Sequence, residues 1–221
     1  MVETTQAEPF SVAILAGGFG TRLGQDKASA VIAGRPLLHW MAEAVAGLTD
    51  DLLILHRADQ ELVDLPASVT WRPVVDRRAE SGPLAGLEAG LHASRHDLMV
   101  AVATDMPLVR PELLRAIAAA CNGYAAAMPV LRGVAQPLCA AYRRSALPVI
   151  AAQLEEGDGR IRYIMPKLQS RTLAESEVTA YDPTLESFTN VNRPDDLARV
   201  GEILAKRSAA TAASNPDGEP K

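Results

Sequence analysis

Apolar residues recur along this chain in two alternating spacings. Short unbroken runs, Val12–Leu15 after Ser11, Leu52–Leu55 and Asp97-Leu-Met-Val-Ala-Val-Ala103, read as strands buried on both faces. Between the first two, Leu37, Trp40, Met41, Ala44, Val45 and Leu48 fall on one face of a helix that Pro36 opens. Val69–Val75 reads as a strand interrupted by Pro73, and Pro83–Ser94 and Pro111–Ala120 read as helices. Tyr124–Val130 and Pro137–Tyr142 read as strands, Arg144–Glu155 as a helix, and Pro194–Lys206 as a closing helix with Asn192 as its cap.

Strand and helix in alternation imply an α/β fold, a Rossmann-like three-layer sandwich whose mostly parallel sheet carries helices on both faces. Residues 1–9 read as a flexible N-terminus, 10–206 as one folded domain, and 207–221, small, polar and Pro-containing, as a disordered tail. Ligands of such sheets bind beyond the carboxyl ends of the strands. The segment after the first strand is therefore the first place to look for chemistry.

That segment holds Gly17, Gly18, Gly20 and Gly24, with the cations Arg22 and Lys27. So many glycines cost backbone entropy, and they suit a backbone pressed against a polyanion with N–H groups aimed at phosphate oxygens. The loop lacks the Gly-Lys-Ser/Thr ending of a Walker A motif, because Lys27 lies between Asp26 and Ala28. It also fails the dinucleotide fingerprint, which needs glycine at position 23, here Leu23. A net charge of −5 gives no general attraction to nucleic acid or to an anionic membrane, so any anion must be held locally. No apolar run approaches a membrane span, and Cys121 and Cys139 lack metal spacing. They read as reduced thiols of a cytoplasmic protein.

Two acids follow apolar runs. Asp105, after the strand that ends at Ala103, is placed to hold a divalent cation that bridges phosphates, or to cap the next turn before Pro107. The phosphate-type loop on the same edge favours the metal. Asp76, after Val74-Val75, either accepts hydrogen bonds from a nucleobase or serves as a turn acid beside Arg77 and Arg78; by itself the turn is the simpler reading.

Leu15-Ala-Gly-Gly-Phe-Gly-Thr-Arg-Leu-Gly-Gln-Asp-Lys27, Gly82-Pro-Leu-Ala-Gly86, Asp105-Met-Pro107 and Asn190-Val-Asn-Arg-Pro-Asp-Asp-Leu197 occur in this order. From about Val12 to Val200 the chain resembles the molybdenum cofactor guanylyltransferases, the MobA family of nucleotidyltransferases. The resemblance implies transfer of GMP from GTP to the terminal phosphate of molybdopterin carrying molybdenum, with release of pyrophosphate. It implies Mg²⁺, with Mn²⁺ as the alternative, and delivery of the product to molybdoenzyme maturation partners. By the same resemblance Leu15, Ala16, Gly17 and Gly18 meet the nucleotide and Lys27 holds its phosphates with Arg22 in support. Asp76 joins the GTP site, and Asp105 binds metal and GTP. Arg160 and Arg162 are candidate contacts to the pterin phosphate, against a reading as two solvated arginines. Asn190 and Asn192 would complete the metal side, Asn192 competing with its role as a cap.

The chain departs from the family at two points. Members commonly carry Asn after the second strand, where this chain has His56-Arg57, and His-Pro where it has Gln136-Pro137. Three other functions stay open: a molybdopterin cytidylyltransferase, a sugar-phosphate nucleotidyltransferase, and a non-catalytic protein that escorts nucleotide or cofactor. His92 and His96 have metal spacing but no third ligand nearby, and Trp40 and Trp71 read as packing residues.

Overall fold

The computed structural model describes residues 8–17, 26–76, 78 and 82–214. The unbroken apolar runs become the middle of the sheet. Strands β1 (Phe10–Leu15), β4 (Leu52–Arg57) and β6 (Leu98–Ala103) lie side by side, following the minor hairpin β2 (Val31–Ile32) and β3 (Arg35–Pro36) in chain order. Beyond β4 lies β5 (Arg72–Asp76), an edge strand. On the other side, β7 (Ala126–Leu131), β9 (Cys139–Arg143) and β10 (Ser170–Leu173) complete the order β10-β7-β9-β6-β1-β4-β5, with β8 (Val134–Ala135) paired to β7 alone. Along that path β9 runs against both its neighbours, while β1, β4, β5 and β6 are mutually parallel.

Two-sided burial explains why these runs show no polar alternation. Val12, Ile14, Ile54, Val100 and Val102 face one core, shared with α1 (Leu37–Ala46) and α3 (Pro111–Ala120). Ala13, Leu53, Leu55, Met99 and Ala101 face a second core, shared with α2 (Pro83–Ala93) and α4 (Leu147–Glu155). Each fully buried aliphatic side chain contributes roughly 1.5–3 kcal/mol. The second face also needs a close helix: a Cβ on Gly90 of α2 would lie 3.1 Å from both Leu55 Cδ1 and Met99 Sδ. The three-layer arrangement inferred from the sequence is therefore present.

Several boundaries differ from the sequence expectation. The strand expected over Val69–Val75 begins only at Arg72; Val69 packs as a loop residue, and Pro73 is tolerated because β5 is an edge. The helix expected over Arg144–Glu155 opens as a 3-10 turn, Arg144–Ala146, before α4. The strand β10 and the short helix α5 (Glu175–Thr179) have no counterpart in the sequence reading. The closing helix, α6 (Pro194–Ser214), runs eight residues past Lys206 into the stretch read as disordered tail. Its Val200 and Leu204 pack with Ile32, Leu37 and Leu108 in a third, smaller core, which fastens the C-terminal segment over the β2–β3 hairpin. Trp40 is a packing residue as expected, its Nε1 donating to the Ile32 carbonyl at 2.9 Å. Both cysteines are buried and unbridged, and burial raises the Cys139 thiol to about 12. Among the described residues no helix is long and apolar enough to cross a membrane, and no cluster of three potential metal-ligating His, Cys, Asp or Glu residues occurs.

Candidate active site

Because β1, β4, β5 and β6 are parallel, Leu15, Arg57, Asp76 and Ala103 all end on one rim. Strand order reverses at β1, which has β4 on one side and β6 on the other, and such a reversal opens a crevice. A cleft of about 360 Å³ lies there, walled by the end of β1, the start of α2 and the segment after β6.

The polar floor is built from three distant parts of the chain. Lys27 starts a 3-10 turn, Lys27–Ser29, capped by Asp26, whose Oδ1 accepts from the Ala28 amide at 3.3 Å. Its ammonium reaches Asp105 Oδ2 at 2.7 Å and Asn192 Oδ1 at 2.7 Å. Asp105 Oδ1 is buried and has no hydrogen-bond partner among the described residues. The Asp105 carbonyl accepts the Val191 amide at 2.8 Å, and this bond draws the segment before α6 to the strand end. The Asn192 side chain thus faces Lys27 instead of capping the helix. Asp196 does the capping: its Oδ2 accepts the Asn192 and Arg193 amides, both at 2.9 Å, and those amides keep its carboxyl below the ordinary value.

The rest of the rim is formed by Thr104, Arg57, Asp76 and the glycines that open α2. Thr104 ties β6 to β1, its Oγ1 donating to the Leu15 carbonyl at 2.7 Å. Arg57 ends β4 at the cleft, where family members commonly carry Asn. Its Nη1 donates to the Gly17 carbonyl at 2.8 Å and its Nη2 lies 3.5 Å from Asp26 Oδ2, so it braces both ends of the glycine loop. His56 turns its Nδ1 to the Arg57 carbonyl and does not line the cleft. Asp76 lines the far wall, its Oδ1 accepting the Arg78 amide at 2.8 Å. Burial, with some repulsion from Glu88, raises its carboxyl above the ordinary value. Space beside Asp76 Oδ2 and Leu15 is kept open by Gly86, whose absent Cβ would sit 3.7 Å from each. Gly82, at φ +74°, lets the chain enter α2 where a Cβ would approach the Gly159 carbonyl to 3.2 Å.

The cleft therefore gathers Leu15, Ala16, Gly17, Lys27, Asp76 and Asp105, with Asn192 on Lys27. Arg22 and Gly18 lie outside the described residues. Asn190 is exposed and, among the described residues, makes no side-chain hydrogen bond, whereas Asn192 bonds Lys27. Arg160 and Arg162 are not cleft-lining; they follow Gly159, whose carbonyl meets the Leu84 amide at 3.4 Å beside the cleft-lining Gly82 and Pro83. His92 is exposed and His96 pairs with Asp50 at 2.7 Å, so they form no metal site. Sequence reasoning misses Arg57 as a brace, though a cation ending a strand next to a glycine loop is the available signal.

The model of the MobA-like NTP transferase domain matches residues 12–172. This chain belongs to the MobA-like NTP transferase family. Family relatives include a probable molybdenum cofactor guanylyltransferase of Deinococcus radiodurans, 35% identical over 195 residues, covering 87% of this chain and 94% of the relative. A molybdenum cofactor guanylyltransferase of Pseudomonas putida is 34% identical over 199 residues, covering 86% and 96%. Among solved structures, molybdopterin-guanine dinucleotide biosynthesis protein A of Archaeoglobus fulgidus is 26% identical with a TM-score of 0.75, covering 89% of this chain and all of that one. The Thermus thermophilus 2-C-methyl-D-erythritol 4-phosphate cytidylyltransferase, 19% identical with a TM-score of 0.67, shares the fold over 90% of this chain and 99% of its own.

Proposed function

We propose that this MobA-family protein transfers GMP from GTP to the terminal phosphate of molybdopterin carrying molybdenum. An acceptor phosphate oxygen attacks the α-phosphorus and forms the new P–O bond. The bond to the β-phosphate bridging oxygen breaks, and its electron pair leaves on pyrophosphate. The product is the guanine dinucleotide form of the cofactor. The carrying observation is the Lys27–Asp105–Asn192 cluster at the mouth of the glycine loop, in a chain whose relatives bear the guanylyltransferase name.

The nucleophile is already an oxyanion, so no strong general base is required. The difficulty is to bring two anions together and to stabilise charge on the leaving group. Lys27 stands where the triphosphate would lie, and the backbone from Leu15 to Gly17 offers close approach to it. Asp76, as the carboxylate, would accept from the guanine ring N–H and amino group. Arg160 and Arg162 would take the acceptor phosphate from the other side of α2's start. The buried Asp105 Oδ1, without a hydrogen-bond partner among the described residues, fits a hard divalent cation, Mg²⁺ or Mn²⁺, which needs few protein oxygens when phosphates and water supply the rest. When bound, that cation supplies charge neutralisation on the triphosphate and the departing pyrophosphate. A cytoplasmic setting is supported by the two buried, unbridged cysteines.

Incubation with each of the four nucleoside triphosphates, Mg²⁺ and molybdenum-bearing molybdopterin tests the reading. Pyrophosphate and dinucleotide are expected with GTP alone. Release with CTP, or only when a sugar phosphate is supplied, overturns it. Lys27→Met is expected to lower kcat/KM for GTP about 10²-fold with the melting temperature little changed, because the bonds of its ammonium among the described residues, to Asp105 and Asn192, lie at the open cleft. Loss of the folded state in that variant would make Lys27 structural instead.

A further inference from the structure

Tyr163 is shared by two arginines. The Arg160 guanidinium carbon lies 4.4 Å from the Tyr163 ring centroid and that of Arg162 lies 4.9 Å away. Arg162 Nη2 also donates to the Tyr163 hydroxyl at 3.2 Å. Arg160 is fixed independently: its Nε and Nη2 grip the Asp158 carboxylate, each at 2.8 Å, and its carbonyl accepts from buried Gln153 Nε2 at 3.0 Å. Ile161 and Ile164 anchor the same turn from below. Asp158 offsets one cation. Arg162 has no carboxylate within ion-pair distance among the described residues, so the group keeps a surplus positive charge. Tyr163 itself is 40% exposed, so the stack buries little and does not serve the core. Each guanidinium is attracted to the ring face, and an anion between the two would relieve the mutual repulsion that Asp158 offsets only on Arg160.

We propose that Tyr163 is a positioning residue for the acceptor, presenting Arg160 and Arg162 as a pair to a phosphate monoester at the cleft edge. The inference rests on the reading that the acceptor phosphate docks on these arginines. The Arg162 hydrogen bond, and then the charges of Arg160 and Arg162, lower the Tyr163 phenol below its ordinary value, which gives a direct signal. The ring supplies a common platform for both guanidinia; its hydroxyl touches only Arg162. Ring loss is therefore the larger change.

Steady-state kinetics with molybdenum-bearing molybdopterin and GTP separate the roles. Tyr163→Leu is expected to raise the acceptor KM about fivefold, with KM for GTP and kcat moving less than about twofold, and Tyr163→Phe to restore most of the loss. Tyrosinate absorbance, read as the difference between the wild type and Tyr163→Phe, is expected to titrate at higher pH when inorganic phosphate is added. Arg162→Met removes that response. An unchanged acceptor KM in Tyr163→Leu, with a raised one in Arg160→Met and Arg162→Met, overturns the role of Tyr163 alone. An unchanged acceptor KM in all three overturns the docking of the acceptor phosphate here as well.

Discussion

Asp105→Ala is expected to slow GTP-dependent pyrophosphate release about 10³-fold while leaving the fold in place. The side chain has one oxygen on Lys27 and one without a donor among the described residues, so its structural bonds are few. The link to the segment before α6 runs through the Asp105 carbonyl, which alanine keeps. Lys27 would still have Asn192. What disappears is the cleft-lining carboxylate that, in the proposed function, would face the triphosphate and give a divalent cation an acidic protein ligand. Asp105→Asn should lose nearly as much, because it keeps the shape and discards the charge. Circular dichroism and thermal melting check the fold; a coupled pyrophosphate assay checks the rate. Activity near the wild-type level in either variant would refute the assignment.

Asp51→Ala should do the reverse, destabilising the protein by about 3 kcal/mol, or about 6–12 °C in Tm, with kcat/KM unaffected. Asp51 is buried at the opposite edge of the sheet. Its oxygens accept from the Ser11 hydroxyl at 2.6 Å, Arg72 Nε at 2.8 Å and the Arg95 amide at 2.8 Å. Alanine leaves these donors facing a void. Burial alone would raise the Asp51 carboxyl, but Arg72, the Arg95 amide and the Ser11 hydroxyl outweigh it and hold it at about 2. A carboxyl depressed in the folded state binds its proton less readily there than in the unfolded chain. Its contribution is therefore fully present above the ordinary value of 3.8 and is lost as pH falls toward 2. The stability gap between wild type and Asp51→Asn, measured by urea unfolding across that interval, should narrow with acidification. A gap that stays constant or widens contradicts the linkage.

The sequence reveals those parts of the fold whose burial is uniform. Leu98–Ala103 can be read as a central strand because both its faces are covered, and α1 because its apolar positions follow the helical period. β10 is hidden because Ser170, Arg171 and Thr172 face an edge and only Leu173 is buried. The two-residue strands β2 and β3 are too short to show a period. At residues 208–213, attention to small polar residues misses four alanines, the best helix formers, in a stretch that α6 includes. In the cleft, Lys27 and Asp105 are legible because one closes a glycine loop and the other an apolar run, whereas Asp76 reads by itself as a turn acid and is placed there only by the family resemblance. Asn192 reads first as a cap because helix-start chemistry is local, whereas its bond to Lys27 spans 165 positions.

That span has a temporal meaning. A chain still being synthesised can pair β1, β4, β5 and β6 well before position 192 has been added. Its cleft then has the lysine and the aspartate without the asparagine that bonds the lysine, and α6 has not yet clamped that segment against the β2–β3 hairpin. The cluster on the cleft floor is thus closed only by a segment that is synthesised after every strand of the sheet.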